Sequence, residues 1–262
     1  MKTNYLDSLN KEEKFALFFG IMAGDGCLSF YITKDRKQKK VIVVTGNFYD
    51  DKEFFETILV PLLKSFTNNS VKIKDKRYCG TIEIHVFDKE LFQKIEELGF
   101  PIGKKGLKLF IPKYFYEKDL LKNIVQGFFA TDGSLVLTKN PNKFYPRVEG
   151  NGISKNLIRQ ITEYLNYIGM NGYFYIAKRK NETSRYDNQQ QYRFQFNGRN
   201  NLILFNNLVG FVNPKHKKKF NEFIKYDEQY DKTIFGLPPI KQKYAGEPIT
   251  SEFEKKMALE GF

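Results

Sequence analysis

Residues 15–30 read FALFFGIMAGDGCLSF, and residues 122–137 read KNIVQGFFATDGSLVL. Set side by side, Gly20, Asp25, Gly26 and Leu28 recur as Gly127, Asp132, Gly133 and Leu135. One apolar stretch stopped by Asp-Gly is unremarkable. Two make the chain an internal duplication, and a duplication decides the fold before any local reading does. Both stretches are apolar enough to be buried helices, and glycine is where helices commonly stop.

The same order of elements follows each copy. A polar, strand-like hairpin comes first, CLSFYITKDRKQKKVIVVTGN at 27–47 and SLVLTKNPNKFYPRVEGN at 134–151, each ending in Gly-Asn. An amphipathic helix is expected next, FFETILVPLLKSF at 54–66 and KNLIRQITEYLNYIG at 155–169, with apolar residues at three and four spacings. Two alternating strands follow. Ile82, Ile84 and Val86 share one face against Thr81, Glu83 and His85, while Tyr192, Phe194 and Phe196 share one against Gln191, Arg193 and Gln195. A closing helix then ends in Leu98-Gly99-Phe100 and in Val209-Gly210-Phe211, with basic residues after each at 104–105 and 215–219. The predicted class is α+β: two pseudo-symmetric α-β-β-α-β-β-α repeats, each with a four-stranded antiparallel sheet, packed through the two apolar helices. The expected bounds are 7–105 and 117–225 for the repeats, 106–116 for the linker and 226–262 for a C-terminal extension. In that extension Pro238-Pro239 forms a turn and Ser251 with Glu254 a capping box.

Composition limits the function. Lys and Arg number 43 against 30 Asp and Glu, a net charge of +13, so a polyanionic partner is favoured. Cys27 and Cys79 are too few and too far apart for a metal knuckle or a secreted disulfide framework, which points to a reducing, intracellular compartment. The apolar run at 15–24 is about half of what would span a bilayer, and no signal pattern precedes it, so neither membrane nor secretion is expected.

The two nine-residue segments FFGIMAGDG (18–26) and VQGFFATDG (125–133) resemble the motif of the LAGLIDADG homing endonucleases in their monomeric, two-repeat form. Many positions depart from the namesake string, but Gly20 with Gly24, and Gly127 with Thr131, leave small residues one turn apart, so two helices can approach closely. The resemblance covers residues from about 7 to 225. It implies site-specific cleavage of both strands of double-stranded DNA across the minor groove, leaving 5′ phosphates and short 3′ overhangs. It also implies a monomer that needs no protein partner, encoded within an intron. A non-catalytic or bifunctional relative, a transcription factor or an intron maturase, is the alternative; loss of one Asp would have favoured it. Neither Met1 nor Gly261-Phe262 is a splicing residue, so a free-standing protein is expected rather than an intein.

The residues themselves support a metal centre. An Asp at a helix C-terminus opposes the negative end of the macrodipole, and two such helices side by side add like-charge repulsion between Asp25 and Asp132. A cation relieves both, and Mg²⁺ suits carboxylate oxygens completed by water and phosphate, with Gly24 and Thr131 as neighbouring ligand positions. Ca²⁺ is expected to support binding without cleavage. Asn47 and Asn151 occupy matching strand ends, where the family often places a residue that positions the attacking water; a turn role for Asn is equally compatible. Lys89 and Arg199 begin equivalent closing helices and are the candidate basic helpers. DNA contact is expected from the polar strand faces: Ser29, Tyr31, Thr33, Lys40, Lys72, Lys74, Glu83 and His85 in the first repeat, and Thr138, Asn140, Tyr173, Tyr175, Arg179, Arg193 and Gln195 in the second.

Overall fold

The computed structural model describes residues 5–140, 143–177 and 190–230. Arg179, the Pro238-Pro239 turn and the Ser251–Glu254 capping box lie outside them. The first repeat runs α1 (Lys11–Asp25), β1 (Gly26–Ile32), β2 (Gln38–Asn47), α2 (Phe48–Phe54), α3 (Val60–Lys64), β3 (Ile73–Lys76), β4 (Thr81–Val86) and α4 (Lys89–Glu97). A short α5 (Lys113–Glu117) bridges to the second, which runs α6 (Leu121–Thr131), β5 (Gly133–Asn140), β6 (Lys143–Gly152), α7 (Lys155–Tyr167), β7 (Tyr173–Ile176), β8 (Tyr192–Asn197), α8 (Arg199–Leu208) and α9 (Pro214–Tyr230). The fold is α+β, with two four-stranded antiparallel sheets ordered β1-β2-β4-β3 and β5-β6-β8-β7.

Three elements differ from the expected order. The helix after β2 is broken into α2 and α3 by a π-helical turn, Phe55–Leu59. The cause lies two residues on, where Pro61 has no N–H to give the helical ladder. The linker carries α5. The largest difference is α9, a 17-residue helix whose charged sequence, PKHKKKFNEFIKYDEQY, hides its apolar stripe.

Helix α1 starts on a capping box: the Asn10 side chain accepts from Glu13 N–H at 2.9 Å while Asn10 N–H donates to the Glu13 carboxylate at 2.7 Å. From Phe15 to Gly24 it is buried on every side, because it packs against its own sheet on one flank and α6 on the other. The core spreads outward from this helix pair. Ile42, Val44, Ile82, Ile84 and Val86 sit beneath one sheet, Leu135, Val148, Phe194 and Phe196 beneath the other, and the opposite face of each sheet stays open. No described helix is long and apolar enough to cross a membrane.

Register corrects one expected position. Lys40 pairs with Phe30, whose ring contacts Phe92 of α4, so Lys40 lies on the helix-covered face of the sheet. Its ammonium bonds Glu96 at 2.8 Å and lies 4.7 Å from the Phe92 ring centre. The hairpin turn between β1 and β2 has a length that the sequence leaves open, and a one-residue slip there exchanges faces.

Candidate metal centre and nucleic-acid interface

Helices α1 and α6 end together. A side chain at Gly24 would stand 2.9 Å from Thr131 Cβ and 3.4 Å from the Asp132 backbone nitrogen, so the last turns are in direct contact. Asp25 closes α1 and Asp132 caps α6. Burial, then the charge of Asp132, push the Asp25 carboxyl up to about 7, with Lys105 opposing both. Asp132 is raised by burial as well, with Lys105 and Lys215 pulling it back.

These two lysines are the basic groups that face the carboxylate pair, and sequence reasoning did not single them out. After α4 the chain runs beside β1: Gly103 N–H donates to Leu28 carbonyl at 2.7 Å, and Ile102 bridges Leu28. Gly103 takes φ 77, a left-handed turn open to glycine, which returns the chain toward the end of α1. Lys105 Nζ then donates to the Met22 carbonyl at 3.0 Å and to the Gly24 carbonyl. Burial lowers the Lys105 ammonium, and the two aspartates hold it up.

In the second repeat Asn213 does the corresponding work through its side chain. Its amide donates to the Ala130 carbonyl of α6 at 2.8 Å and to Asp51 of α2 at 3.1 Å, while its oxygen accepts from Lys215 N–H at 3.0 Å. Lys215 Nζ meets Asp51 Oδ1 at 2.7 Å. Gly24, Asp25, Gly26, Thr45, Gly46, Asn47, Asp51 and Lys105 line one open cleft of about 530 Å³. The sequence signal for both lysines was the basic residues after Gly-Phe in each copy. It gave no reason to choose Lys105 from Lys104, or Lys215 from the cluster at 215–219.

The remaining positions divide clearly. Asn47 lines the cleft, but its side-chain oxygen accepts from Tyr49 and Asp50 N–H at 2.9 and 3.1 Å and caps α2. Asn151 is exposed near the end of β6, opposite Arg193. Lys89 is exposed on the first turn of α4, and Arg199 is paired with Asp227 of α9; neither is among the charges acting on the aspartates. The Thr131 hydroxyl turns back to its own helix, donating to Phe128 carbonyl at 3.0 Å, so its backbone carbonyl is the part that could serve a metal. The Gly24 carbonyl, shared with Lys105, keeps a second lone pair.

Among the described residues no group of three or more His, Cys, Asp or Glu is placed to hold a metal ion. Two carboxylates on adjoining helix ends, both raised by burial, nevertheless form a hard-oxygen pair whose ionisation a divalent cation would relieve. The donor set therefore fits such a cation if water and phosphate oxygens complete it.

On the open face of the first sheet, Lys74 Nζ lies 3.0 Å from His85 Nδ1, His85 Nε2 lies 3.0 Å from Glu83, and Glu83 takes Lys76 at 2.8 Å. Ser29 and Tyr31 share this face, and the Tyr31 ring meets Phe87 edge-on at 5.7 Å. Lys72 is exposed just before β3, and the Thr33 hydroxyl is used in the hairpin turn to Lys37. On the second sheet Tyr173 pairs with Gln195 and Tyr175 with Arg193. Tyr175 donates to Gln195 at 3.2 Å, and Thr138 shares the parity of this face, while the backbone of Asn140 pairs with Lys143 at the end of β5.

Residues 119–223 match the family model described as LAGLIDADG-like domain. Among solved structures, I-DmoI in complex with DNA and Mn aligns with TM-score 0.55 at 15% identity, covering 77% of this chain and 98% of that one. I-LtrWI, a LAGLIDADG homing endonuclease bound to target DNA, aligns with TM-score 0.53 at 13% identity over 95% and 97%. Two curated proteins of Methanocaldococcus jannaschii are similar in sequence. The replication factor C small subunit is 26% identical over 93% of this chain, and the probable translation initiation factor IF-2 is 25% identical over 86%. The chain spans 12% and 17% of their lengths. The second repeat thus matches the LAGLIDADG-like domain model, and the described residues of both repeats share the two-repeat fold of these solved structures.

Proposed function

We propose that this protein is a site-specific endonuclease that hydrolyses both strands of a long, asymmetric double-stranded DNA site with the help of a divalent cation, Mg²⁺ by preference. The observation that carries the reading is the pairing of Asp25 with Asp132 at two touching helix ends, with Lys105 and Lys215 turned toward them. The solved relatives bound to DNA, and the net charge of +13, support DNA as the substrate.

Asp25 and Asp132, with the backbone carbonyls of Gly24 and Thr131, are the residues that would hold the cation. Bound there, it would supply Lewis acidity toward water and phosphate oxygens. The protein's own groups do the rest. The open sheet faces, with Lys74, Lys76, Arg193 and the exposed tyrosines, place the duplex and read its grooves, while the close ends of α1 and α6 face the minor groove between them. Lys105 and Lys215 present ammonium groups where charge builds on a phosphate under attack. A water oxygen bonds to phosphorus as the bond to the 3′ oxygen breaks. That oxygen takes up a proton, leaving a 5′ phosphate and a 3′ hydroxyl. The two repeats differ at nearly every open-face position, which suits a monomer on an asymmetric site better than a symmetric dimer.

The test is cleavage of a randomised DNA library by the purified chain in Mg²⁺, followed by the same assay with Asp25→Asn and Asp132→Asn. The expected result is one preferred site cut on both strands, with cleavage lost in either variant and binding in Ca²⁺ retained. No cleavage by the wild-type chain, or full double-strand cutting by either variant, overturns the reading.

A further inference from the structure

The two lysines that face the carboxylate pair are not in equivalent surroundings. Lys105 is held by two neutral oxygens, the carbonyls of Met22 and Gly24, with Asp25 and Asp132 acting on it only through space. Lys215 is held by a carboxylate. Asp51, 7% exposed, takes Lys215 Nζ and the Asn213 amide on one oxygen, at 2.7 and 3.1 Å, and Asn47 N–H on the other at 3.0 Å. Asp51 belongs to the first repeat and Lys215 to the second, so the pair crosses the molecule. Four residues after the matching asparagine, the second repeat has Lys155, exposed on α7, where the first has Asp51. The acid is thus a feature of one half only.

We propose that Asp51 is a positioning residue that ties up the charge of Lys215, so that the two DNA strands are cut at different rates and in a fixed order, the strand served by Lys105 first. This rests on the nuclease reading above. The physical argument is a count of charge at each phosphate. Both lysines feel the two aspartates, but the groups that bond the Lys105 ammonium are neutral dipoles, so no further carboxylate cancels its charge. Lys215 brings an ion pair, and a partly buried pair presents far less net field to a third group than a lone ammonium does. The Asn213 bridge and the Asn47 N–H fix Asp51 in place, so the sequestration is built in and does not depend on a surface contact. Neutralising Asp51 while keeping its shape frees Lys215 for the phosphate beside it.

The experiment follows each strand of an end-labelled duplex in single-turnover cleavage by the full chain. Lys215→Met identifies its strand as the one whose rate falls. In the wild type that strand is the slow one, by on the order of tenfold. Asp51→Asn, which keeps an acceptor oxygen and close to the native volume, should speed that strand and bring the two rates to within about twofold, an effect that a merely structural role would not produce. Adding Lys215→Met to Asp51→Asn should abolish the gain. Binding without divalent ions gives a second readout. The dependence of log affinity on log salt should steepen by about 0.9 in Asp51→Asn, and should not steepen in the double variant, because one more ammonium reaches phosphate. An unchanged strand ratio, or a slow strand that slows further in Asp51→Asn, overturns the proposal while leaving the nuclease reading intact. Absence of cleavage by the wild-type chain overturns both. If Asp51→Asn fails to fold, Lys215→Met alone decides: a fall in the faster strand's rate contradicts the assignment.

Discussion

Gly20 and Gly127 face one another across the α1–α6 contact so closely that a side chain on Gly20 would stand 3.0 Å from the Gly127 Cα, and one on Gly127 would stand 2.7 Å from the Ile21 nitrogen. The obstacles are backbone atoms, which cannot rotate away. Gly127→Ala should therefore destabilise the protein, although alanine favours an isolated helix by about 1 kcal/mol. Overpacking of this kind costs about 1–3 kcal/mol, and for a chain of this size the Tm should fall by roughly 3–10 °C. An unchanged or raised Tm in thermal melting would show that the helices can separate without cost.

The carboxylate at the end of α1 links stability to pH. Burial and the charge of Asp132 push the Asp25 carboxyl from the ordinary 3.8 up to about 7 in the folded protein. Between those values the folded chain holds a proton that the unfolded chain has released, so this group's contribution is fully present below the ordinary value and is lost as pH rises through about 7. Asp25→Asn removes the titration. In metal-free buffer the variant should melt a few degrees above the wild type at pH 8, and the difference should close as the pH falls toward 4. A variant less stable than the wild type at pH 8 would assign Asp25 a structural role.

The repeat, the sheet parity and the aspartate pair were legible because each is a pattern in the sequence. Gly20 and Gly127 recur in register, and the alternation of Ile82, Ile84 and Val86 reports a buried face directly. Lys105 and Lys215 were not legible, since irregular backbone places them: the Gly103 turn in one half and the Asn213 bridge in the other. No periodicity reports on either. Lys40 lies off the expected face because parity does not survive a turn of unknown length, and the pattern of α9 is hidden because eight of its 17 residues are charged. Asn47 was ambiguous in sequence, and the structure shows that its side chain caps α2.

Salt should weaken DNA binding steeply. The open sheet faces carry Lys74, Lys76 and Arg193 in a chain of net charge +13, and two sheets laid along a groove would neutralise about 6–10 phosphates. The slope of log affinity against log salt should then fall between roughly −5 and −9. Sedimentation at each salt concentration should show one protein chain per duplex. A nearly flat slope, or two chains on a palindromic site, would rule out this mode of binding.

Lys105→Met isolates what a single buried ammonium contributes. The substitution keeps an unbranched side chain of similar length, so packing beside β1 changes little, and removing a charge that burial already penalises should leave the Tm within a few degrees of the wild type. Binding should also persist, because one phosphate contact among many is lost and the salt slope drops by only about 0.9. Double-strand cleavage should not persist. The ammonium lies in a site partly shielded from water, and deleting one preorganised charge donor of this kind lowers the rate by about 10²–10³. Only one strand should bear the full loss, since Lys215 serves the other. Losing Lys105 also removes the cation that holds Asp25 down, so the Asp25 carboxyl should rise further and the acid limb of the pH–rate profile should move to higher pH. Lys105→Arg, which keeps the charge, should restore part of the rate and return the acid limb toward its wild-type position. Cleavage of both strands at the wild-type rate by Lys105→Met, with an unshifted profile, would leave Lys105 as a helix-end tether for the Met22 and Gly24 carbonyls and no more.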